Sequence, residues 1–575
     1  MLLLKELKKQ VDENGNRRAI SALGREISYG ELNAESTILA DYLLSVSQLS
    51  KSAVIGIYDS GSVNHFLAML ACLKAGKIFI NLDVQAPESY NTKIISDLNI
   101  DVLLTTFSQS VDNFFNCRVV YVENILKNHR VPTQSAFPKF VSDIAYIVAT
   151  SGTTGKPKMV AKTRSALNLS YVQIRQSLPF LFNGVIQQTA PLHYAFGLDQ
   201  SLIFLCSGTT VCIDAKRDYV DLKYIYSCIE KNQANIVFWS SPILKLLSRQ
   251  PQLFQGIPAC VKYIVVGGEP LIVSAAFLFE LRNREISLLN NYGCTEMGTM
   301  FFSVVNIPLL EIQEYNRVSI GKPLQGFEAE LHGNLKSKGE LLVCAEKIFN
   351  KYCSGEFNLS TGKDGKVYYH TGDIAEKIDG KYYIVGRADN CVNVRGFRIE
   401  IESIERHIIQ ILGGADCCIV PQKNEYDEIK LICFFQEGFK SSTEIFDELK
   451  IILPDYMVPA KFFPLKQLPK LSNGKINRKI LSDSLTENYL TADDKIDENY
   501  LEQRIKKILE EMLNTKLPAN FEECTFAEIG LDSLSFVDFI CKVEFIEKKF
   551  VGDEVLNEKK IKTVGDLIHL LRLKK

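Results

Sequence analysis

The chain has 575 residues, of which 46% are hydrophobic and 23% charged, with a formal net charge of −2 at pH 7. That length is too great for one core and implies three or four domains. The ordinary, near-neutral composition excludes a disordered chain and gives no sign of a nucleic-acid-binding surface. Fifteen cysteines are scattered, with Cys417 and Cys418 adjacent and no C-x-x-C pair, so neither a disulfide framework nor a zinc site is indicated. Buried reduced thiols in a cytoplasmic protein are expected instead. The N-terminus, Met1-Leu-Leu-Leu-Lys-Glu-Leu-Lys-Lys9, has only three apolar residues after Met1 and then turns charged. It predicts an amphipathic helix and not a signal peptide, and no run reaches membrane-spanning length, so no membrane partner is expected.

Ile27-Ser-Tyr-Gly-Glu-Leu32 opens a block that continues as a helical pattern through Leu44. Ala53–Tyr58 then predicts a strand, Val63–Lys74 a helix ending at Gly76, and Ile78–Asp83 and Val102–Thr106 two further strands. Strands alternating with helices imply α/β architecture with a parallel sheet covered on both faces. The apolar run Ile144–Ala149 leads into Thr150-Ser151-Gly152-Thr153-Thr154-Gly155-Lys156-Pro157-Lys158. A strand followed by a loop this rich in hydroxyls, glycines and lysines offers backbone N–H groups, O–H groups and ammonium groups to a polyphosphate. Its spacing is not that of the G-x-x-x-x-G-K-[ST] loop. It resembles the phosphate loop of the adenylate-forming enzymes, the superfamily of acyl- and aryl-CoA ligases, luciferases and nonribosomal peptide synthetase adenylation domains. Leu73–Asp83 resembles the second core motif of those domains, with Asn81 where the family has proline. Arg164 stands where it has histidine.

Pro191-Leu-His-Tyr-Ala-Phe-Gly-Leu198 begins a region that in this family forms one wall of the acyl pocket. Two registers are open. Leu198-Asp-Gln-Ser201 resembles the F-D-x-S motif whose aspartate, here Asp199, pairs with the α-ammonium of an amino acid. Counting back from Gly208 instead puts Ala195, followed by Phe196, at the aspartate's place, as in aryl- and acyl-activating branches whose pockets hold no amine. The second register is preferred because it needs no deletion in a packed element. Asp199 is the residue that could overturn this choice: a buried carboxylate with no cationic partner is costly, so if it faces the pocket something positive should meet it. Trp239, Val265, Gly267, Asn291, Thr299 and Met300 are carried over as further pocket residues.

Ile264–Leu271 reads as a strand running into a glycine turn, and Gly268 and Glu269 are carried over to the nucleotide site. Asn290-Asn-Tyr-Gly-Cys-Thr-Glu-Met-Gly298 resembles the family's Y-G-P-T-E motif, with Cys294 in place of proline. The resemblance implies that Tyr292 stacks on adenine beside Asn291 and Gly293, that Thr295 donates to the α-phosphate, and that Glu296 holds Mg²⁺, a hard cation that prefers oxygen ligands. Tyr369-His-Thr-Gly-Asp-Ile374 resembles Y-R-T-G-D with His370 for arginine. Asp373 would accept both ribose hydroxyls, since a carboxylate has two oxygens for a vicinal diol.

Gly386–Glu400 resembles the hinge motif at which a small lid swings, with Arg387 toward the ribose, Asp389 as the hinge and Asn393 where lysine is usual. Leu453–Pro459 and Pro469–Lys479 resemble the last two core motifs, and Lys475 is carried over as the catalytic lysine. A loop-borne ammonium can neutralise the charge that develops between a carboxylate and the α-phosphate. After the polar, acidic stretch 491–498, Gly530-Leu-Asp-Ser-Leu534 resembles the attachment site of acyl and peptidyl carriers, with Ser533 bearing 4′-phosphopantetheine.

The expected architecture is therefore a large subdomain of layered sheets and helices over 1–386, a small α+β lid over 387–486, a linker over 487–498 and an all-α four-helix carrier over 499–575. The resemblance implies an enzyme that uses Mg²⁺ and ATP to convert a small-molecule carboxylic acid to an acyl-adenylate and then loads its own carrier, as a loading module in secondary-metabolite biosynthesis. Its partners would be a phosphopantetheinyl transferase and a downstream condensing or tailoring enzyme. The alternatives are a coenzyme A ligase with an appended domain and a catalytically silent carrier scaffold.

Overall fold

The structure is a computed structural model that describes residues 1–46, 53–106, 117–130, 142–150, 158–213 and 222–485. The last of these stretches excludes 241–242, 245–246, 249–250, 269–270, 306, 308–314, 336, 346–349, 353–357, 363, 388–390, 396, 413–414, 424–427, 467, 470–475 and 477, and short stretches between 502 and 573 are also described. Leu3 and Leu7 bury one face of α1 (Leu2–Asn14), the expected amphipathic helix. The strands β1 (Arg18–Ala22) and β2 (Arg25–Ser28) form an antiparallel pair. Ser28 then caps α2 (Tyr29–Ser45): its hydroxyl accepts from the Glu31 N–H, and the Glu31 carboxylate accepts from the Ser28 N–H.

The strand β3 (Val54–Tyr58) leads to α3 (Val63–Lys74) and β4 (Ile78–Asn81). Gly76, at φ +71°, takes the left-handed conformation that ends α3. All twelve residues of α3 are buried, as expected of a helix with core on every side. It touches β1 and β2 as well as β3 and β4, so it lies between two sheets. Even Lys74 is buried there. Its ammonium donates at 2.8–2.9 Å to oxygens of Asn33, Ser36 and Thr37, and burial lowers its pKa to about 7.

Next come α4 (Glu88–Asp97), β5 (Val102–Thr105), β6 (Arg118–Tyr121), α5 (Val122–Asn128), β7 (Ile144–Thr150), β8 (Lys158–Thr163) and α6 (Arg164–Ser177). They are followed by β9 (Val185–Gln188), α7 (Ala195–Cys206), β10 (Thr210–Ile213), α8 (Leu222–Asn232), β11 (Ile236–Ser240), β12 (Tyr263–Gly267) and β13 (Ile272–Ser274). The series continues with α9 (Ala275–Asn283), β14 (Ser287–Cys294), β15 (Gly298–Val304), β16 (Tyr315–Arg317), β17 (Lys322–Pro323), β18 (Phe327–Leu335), β19 (Lys338–Ala345) and β20 (Asn350–Tyr352). One sheet has the order β20-β8-β7-β4-β3-β5-β6 and the other β17-β15-β14-β12-β11-β9-β10-β1-β2. Their interiors are parallel, as the alternation of strands and helices predicts, and β6 joins its edge in parallel too, but the other three margins are antiparallel. The reason is loop length: seven residues join β7 to β8, and a parallel return needs a crossover of a dozen or more.

A third, antiparallel sheet is built from β18, β19, β21 (Leu359–Thr361), β22 (Val367–Ile378) and β23 (Lys381–Arg387). Beyond it, β24 (Cys391–Val394) and β25 (Phe397–Glu400) form a hairpin ahead of α10 (Ile401–Ile411). There follow β26 (Cys417–Lys423), β27 (Ile429–Gln436), α11 (Ser442–Ile452) and β28 (Lys461–Leu465), which enclose a separate core around Ile404, Ile419, Cys433 and Leu449. The Ser89 hydroxyl on α4 donates to the Ile451 carbonyl at the end of α11.

The chain divides into two compact units, 1–215 with 229–476, and 216–228 with 477–575. The second contains α12 (Arg478–Ser484), α13 (Val564–Leu573) and a core of Ile505, Leu509, Phe521, Phe539, Val564, Leu567 and Leu571. Among the described residues no helix is long and apolar enough to cross a membrane.

Candidate active site

A cleft opens where parallel strands of both sheets end. Ala149 near the end of β7, Lys158 at the start of β8, Gly268 just past β12 and Asn290–Glu296 of the β14–β15 hairpin line it. Ligands of α/β sheets bind at this position, outside the carboxyl ends of the strands. Both anchors of the hydroxyl-rich loop are thus at the cleft, while Ser151, Gly152, Thr153, Thr154 and Gly155 lie outside the described residues. For Thr150 only its place in β7 is described. Asp373, Arg387, Asn393 and Phe397 complete the wall on the side of the third sheet and the β24–β25 hairpin.

Asp373 and Arg387 face each other across the β22–β23 ladder, and the Arg387 Nη1 donates to Asp373 Oδ1 at 2.6 Å. The Tyr292 hydroxyl donates to Asp373 Oδ2, also at 2.6 Å. A carboxylate has two oxygens, each with two lone pairs, so it is suited to accept from several donors at once. Burial, and then the Asp373 charge, raise the Tyr292 pKa well above its ordinary value, which keeps the phenol a donor. His370, in place of arginine, lies between Glu340 Oε2 at 3.0 Å and the Ser360 hydroxyl at 2.9 Å, inside the third sheet.

The hairpin turn beyond Tyr292 carries Thr295 and the buried Glu296 to the cleft. No group of three or more His, Cys, Asp or Glu side chains among the described residues could enclose a metal. One buried carboxylate on the cleft still fits Mg²⁺, which usually keeps waters and takes one or two carboxylates beside substrate phosphates. On the opposite side His193 and Tyr194 line the cleft. The Phe397 ring stacks on Tyr456 with centroids 3.9 Å apart and also meets Tyr194 at 5.3 Å. His193, Phe397 and Tyr456 lie within motifs that the sequence shows, but no chemistry at those positions marks them in advance.

Tyr194 precedes α7, so Ala195 occupies its first turn and Asp199 the next turn on the same face, about 6 Å deeper along the axis. Asp199 is buried and meets Lys162 of β8, Nζ to Oδ2 at 3.2 Å. The cationic partner that a buried Asp199 requires is therefore present. Sequence reasoning missed Lys162. The signal for it was a lysine directly after the apolar run Met159-Val-Ala161, in a strand buried from Met159 onward.

The remaining expected pocket residues divide between two cores. Val265 shares a core with Phe238, against which Ala195 and Phe196 pack, and Trp239 beside it is fully buried. Gly267 ends β12 opposite Asn291. The Thr299 hydroxyl accepts from Gln200 Nε2 at 3.2 Å. Met300 instead packs with Ala166, Phe301 and Leu324, in the core beneath the third sheet. Gly293 pairs with Thr299 across the hairpin. Glu269, Asp389, Lys475 and Ser533 lie outside the described residues.

Comparison with known proteins agrees with this geometry. The family model described as "AMP-binding enzyme" matches residues 7–353, more than half of the chain. Gramicidin S synthase 2 of Brevibacillus brevis is 27% identical over 525 residues, covering 88% of this chain but 12% of that protein. The chain thus spans about an eighth of that relative's length. A D-alanine–D-alanyl carrier protein ligase of Bacillus licheniformis is 26% identical over 506 residues, covering 84% of this chain and all of that one. Among solved structures, a holo NRPS protein containing adenylation and PCP domains, bound to a vinylsulfonamide inhibitor, superposes with a TM-score of 0.72 at 21% identity, covering 100% of this chain and 96% of that chain. o-Succinylbenzoate CoA synthetase of Bacillus subtilis gives 0.71 at 20% identity, over 83% of this chain and 98% of that one. At these identities the structures show a shared fold, and the family match carries the rest: the chain belongs to the AMP-binding enzymes.

Proposed function

We propose that the protein activates a carboxylic acid with ATP, forming an acyl-adenylate and releasing pyrophosphate, and then transfers the acyl group to its own carrier segment. The observation that carries the first half is the Tyr292–Asp373–Arg387 corner, set in one cleft with Thr295, Glu296 and both anchors of the 150–158 loop. Asp373 would accept the ribose hydroxyls, and Tyr292 would lie along adenine beside Asn291, Gly293, Gly268 and Glu269. The loop would cradle the phosphates, with Lys158 at its end. Glu296 would hold Mg²⁺, whose charge supports the departure of pyrophosphate. Thr295 would donate to the α-phosphate, and Lys475 would neutralise the attacking carboxylate as the bond to phosphorus forms.

For the second half, the reading takes 1–386 as the large subdomain, 387–486 as a lid that turns about Asp389, 487–498 as a linker and 499–575 as a carrier modified at Ser533. A pantetheine arm there would supply the thiol. Support comes from the separate apolar core of the 477–575 region, from similarity to a carrier protein ligase, and from the fold shared with an adenylation–PCP protein. Phosphopantetheinyl transferase and a downstream condensing or tailoring enzyme are the partners this requires, in secondary-metabolite biosynthesis in the cytoplasm.

ATP–pyrophosphate exchange across a carboxylic-acid panel tests the first half. Exchange with at least one acid is expected, and Lys475→Ala should slow adenylation by roughly 3–4 kcal/mol of transition-state stabilisation while ATP still binds. An unchanged rate would remove the lysine from the mechanism, and no exchange with any acid would leave the silent-scaffold alternative. Mass addition at Ser533, followed by acyl addition that is lost in Ser533→Ala while exchange persists, tests the second half. Acyl-CoA as the main product would identify a coenzyme A ligase instead.

A further inference from the structure

We infer that Lys162 is a built-in counter-ion for Asp199 beneath the hairpin of the active-site cleft, and that the acid this protein activates therefore carries no α-ammonium group. The inference rests on the adenylation reading above and makes Lys162 a specificity-determining residue. Four observations place the pair. Lys162 Nζ lies 3.2 Å from Asp199 Oδ2, with the side chains only 4% and 8% exposed. A Cβ at Gly298 would come within 2.6 Å of that same Nζ and 3.8 Å of Asp199 Oδ2, so the pair lies directly under the turn that carries Thr295 and Glu296. Gly298 has φ +76°, which leaves room there and disfavours any other residue. Asp199 shares a helix face with Ala195, one turn below the cleft residue Tyr194.

Desolvation pushes the Asp199 carboxyl up to about 8 and the Lys162 ammonium down to about 8. The 3.2 Å contact opposes both displacements. Whether the shared proton rests on nitrogen or on oxygen, the net charge of the pair is zero. An aspartate waiting for an α-ammonium would present an unneutralised charge; this one does not. A substrate ammonium placed beside the pair would bring a second cation into a dry site with one carboxylate to share, which costs free energy that water does not return. Asp199 Oδ1 is buried with no hydrogen-bond partner among the described residues. That oxygen can accept from a neutral donor such as a hydroxyl without adding charge.

The test uses the full chain and matched pairs of N-acylsulfamoyl adenosines, with aliphatic and aryl acyl groups, each made with and without an α-amine. Binding is measured by calorimetry, with adenosine sulfamate alone as the nucleoside control. For the best-binding acyl group the amine-free member should bind at least about tenfold more tightly, the lower end of what a charge-assisted contact is worth. Lys162→Met should erase or invert that preference. Lys162→Gln, whose amide still donates to Asp199 and guards against misfolding of the first variant, should shift it the same way. Tighter binding of the α-amino member by the wild type, lost in Asp199→Ala, overturns the inference, as does a preference unchanged in Lys162→Gln. If not even the nucleoside control binds, the adenylation reading fails and takes the inference with it. If the control binds and only the preference is reversed, the inference alone fails.

Discussion

Two carboxylate–cation pairs flank the β14–β15 hairpin, Asp373–Arg387 on one side and Asp199–Lys162 on the other, and solvent treats them differently. The first joins adjacent strands, is 12–13% exposed, and has a planar guanidinium 2.6 Å from a carboxylate that Tyr292 also meets. The second joins a strand to a helix 37 residues on, is 4–8% exposed, and has one contact at 3.2 Å with an oxygen left unpartnered. Removing two charges from water costs several kcal/mol per ion, which one contact scarcely returns. The outer pair lines the cleft, where it can serve a ligand. The inner pair cancels its own charge, which suits it to excluding one.

The largest effect should come from breaking the inner pair on one side. Lys162→Met leaves a buried carboxylate alone and should destabilise the fold by about 3–5 kcal/mol in denaturant unfolding of the full chain. The loss should depend on pH in a definite direction. Asp199 has a folded pKa raised above its unfolded value of 3.8, so the folded variant binds the extra proton. Its stability is fully present below about pH 4 and drains away as pH rises toward 8, by up to about 1.4 kcal/mol per pH unit. A flat pH profile with a small loss would mean that water reaches the pair and would erase the contrast between the two sites.

The outer pair should show the reverse pattern, a modest change in stability and a clear change in ATP use. Asp373→Asn turns a charge-assisted contact into a neutral one and should cost about 1.5–3 kcal/mol in kcat/KM for ATP. Tyr292→Phe removes one donor from the same carboxylate and should cost about 0.5–1.5 kcal/mol, since an ordinary hydrogen bond is worth that much. Initial-rate exchange at varied ATP would separate these two variants. If Asp373→Asn unfolded the chain instead, the outer pair would be a structural element like the inner one.

The two pairs also differ in how far the sequence reveals them. Asp373 and Arg387 stand in short glycine-marked motifs, and their placement on neighbouring strands follows from the β22–β23 hairpin. The α3 helix with its Gly76 stop, and the strands β3, β4 and β5, are legible because apolar periodicity and local turn chemistry dictate them. Antiparallel sheet margins were not, because the direction of β8 depends on the length of a loop whose residues point to phosphate binding. Neither was Lys162. Its partner lies on a distant helix, and a lysine in a strand ordinarily signals an edge or a solvated face. Counting registers between Ala195 and Asp199 could not separate them either, since four residues on a helix change depth without changing face.

The smallest effect is the sharpest test of what the inner pair is for. Lys162→Met with Asp199→Leu removes both charges and their desolvation while keeping similar volume. Replacing a buried ion pair by apolar side chains is often neutral or stabilising, so the double variant should unfold within about 1 kcal/mol of the wild type, or later. Lys162→Met alone should lose several times that. The difference between the two is the coupling energy of the pair, measured in one thermodynamic cycle with the Asp199→Leu single variant. A double variant as unstable as Lys162→Met would show that Lys162 contributes through packing of its methylenes against the hairpin and not through its charge. With stability recovered, any remaining change in the acids accepted would belong to the charge of the pair and not to the integrity of the fold.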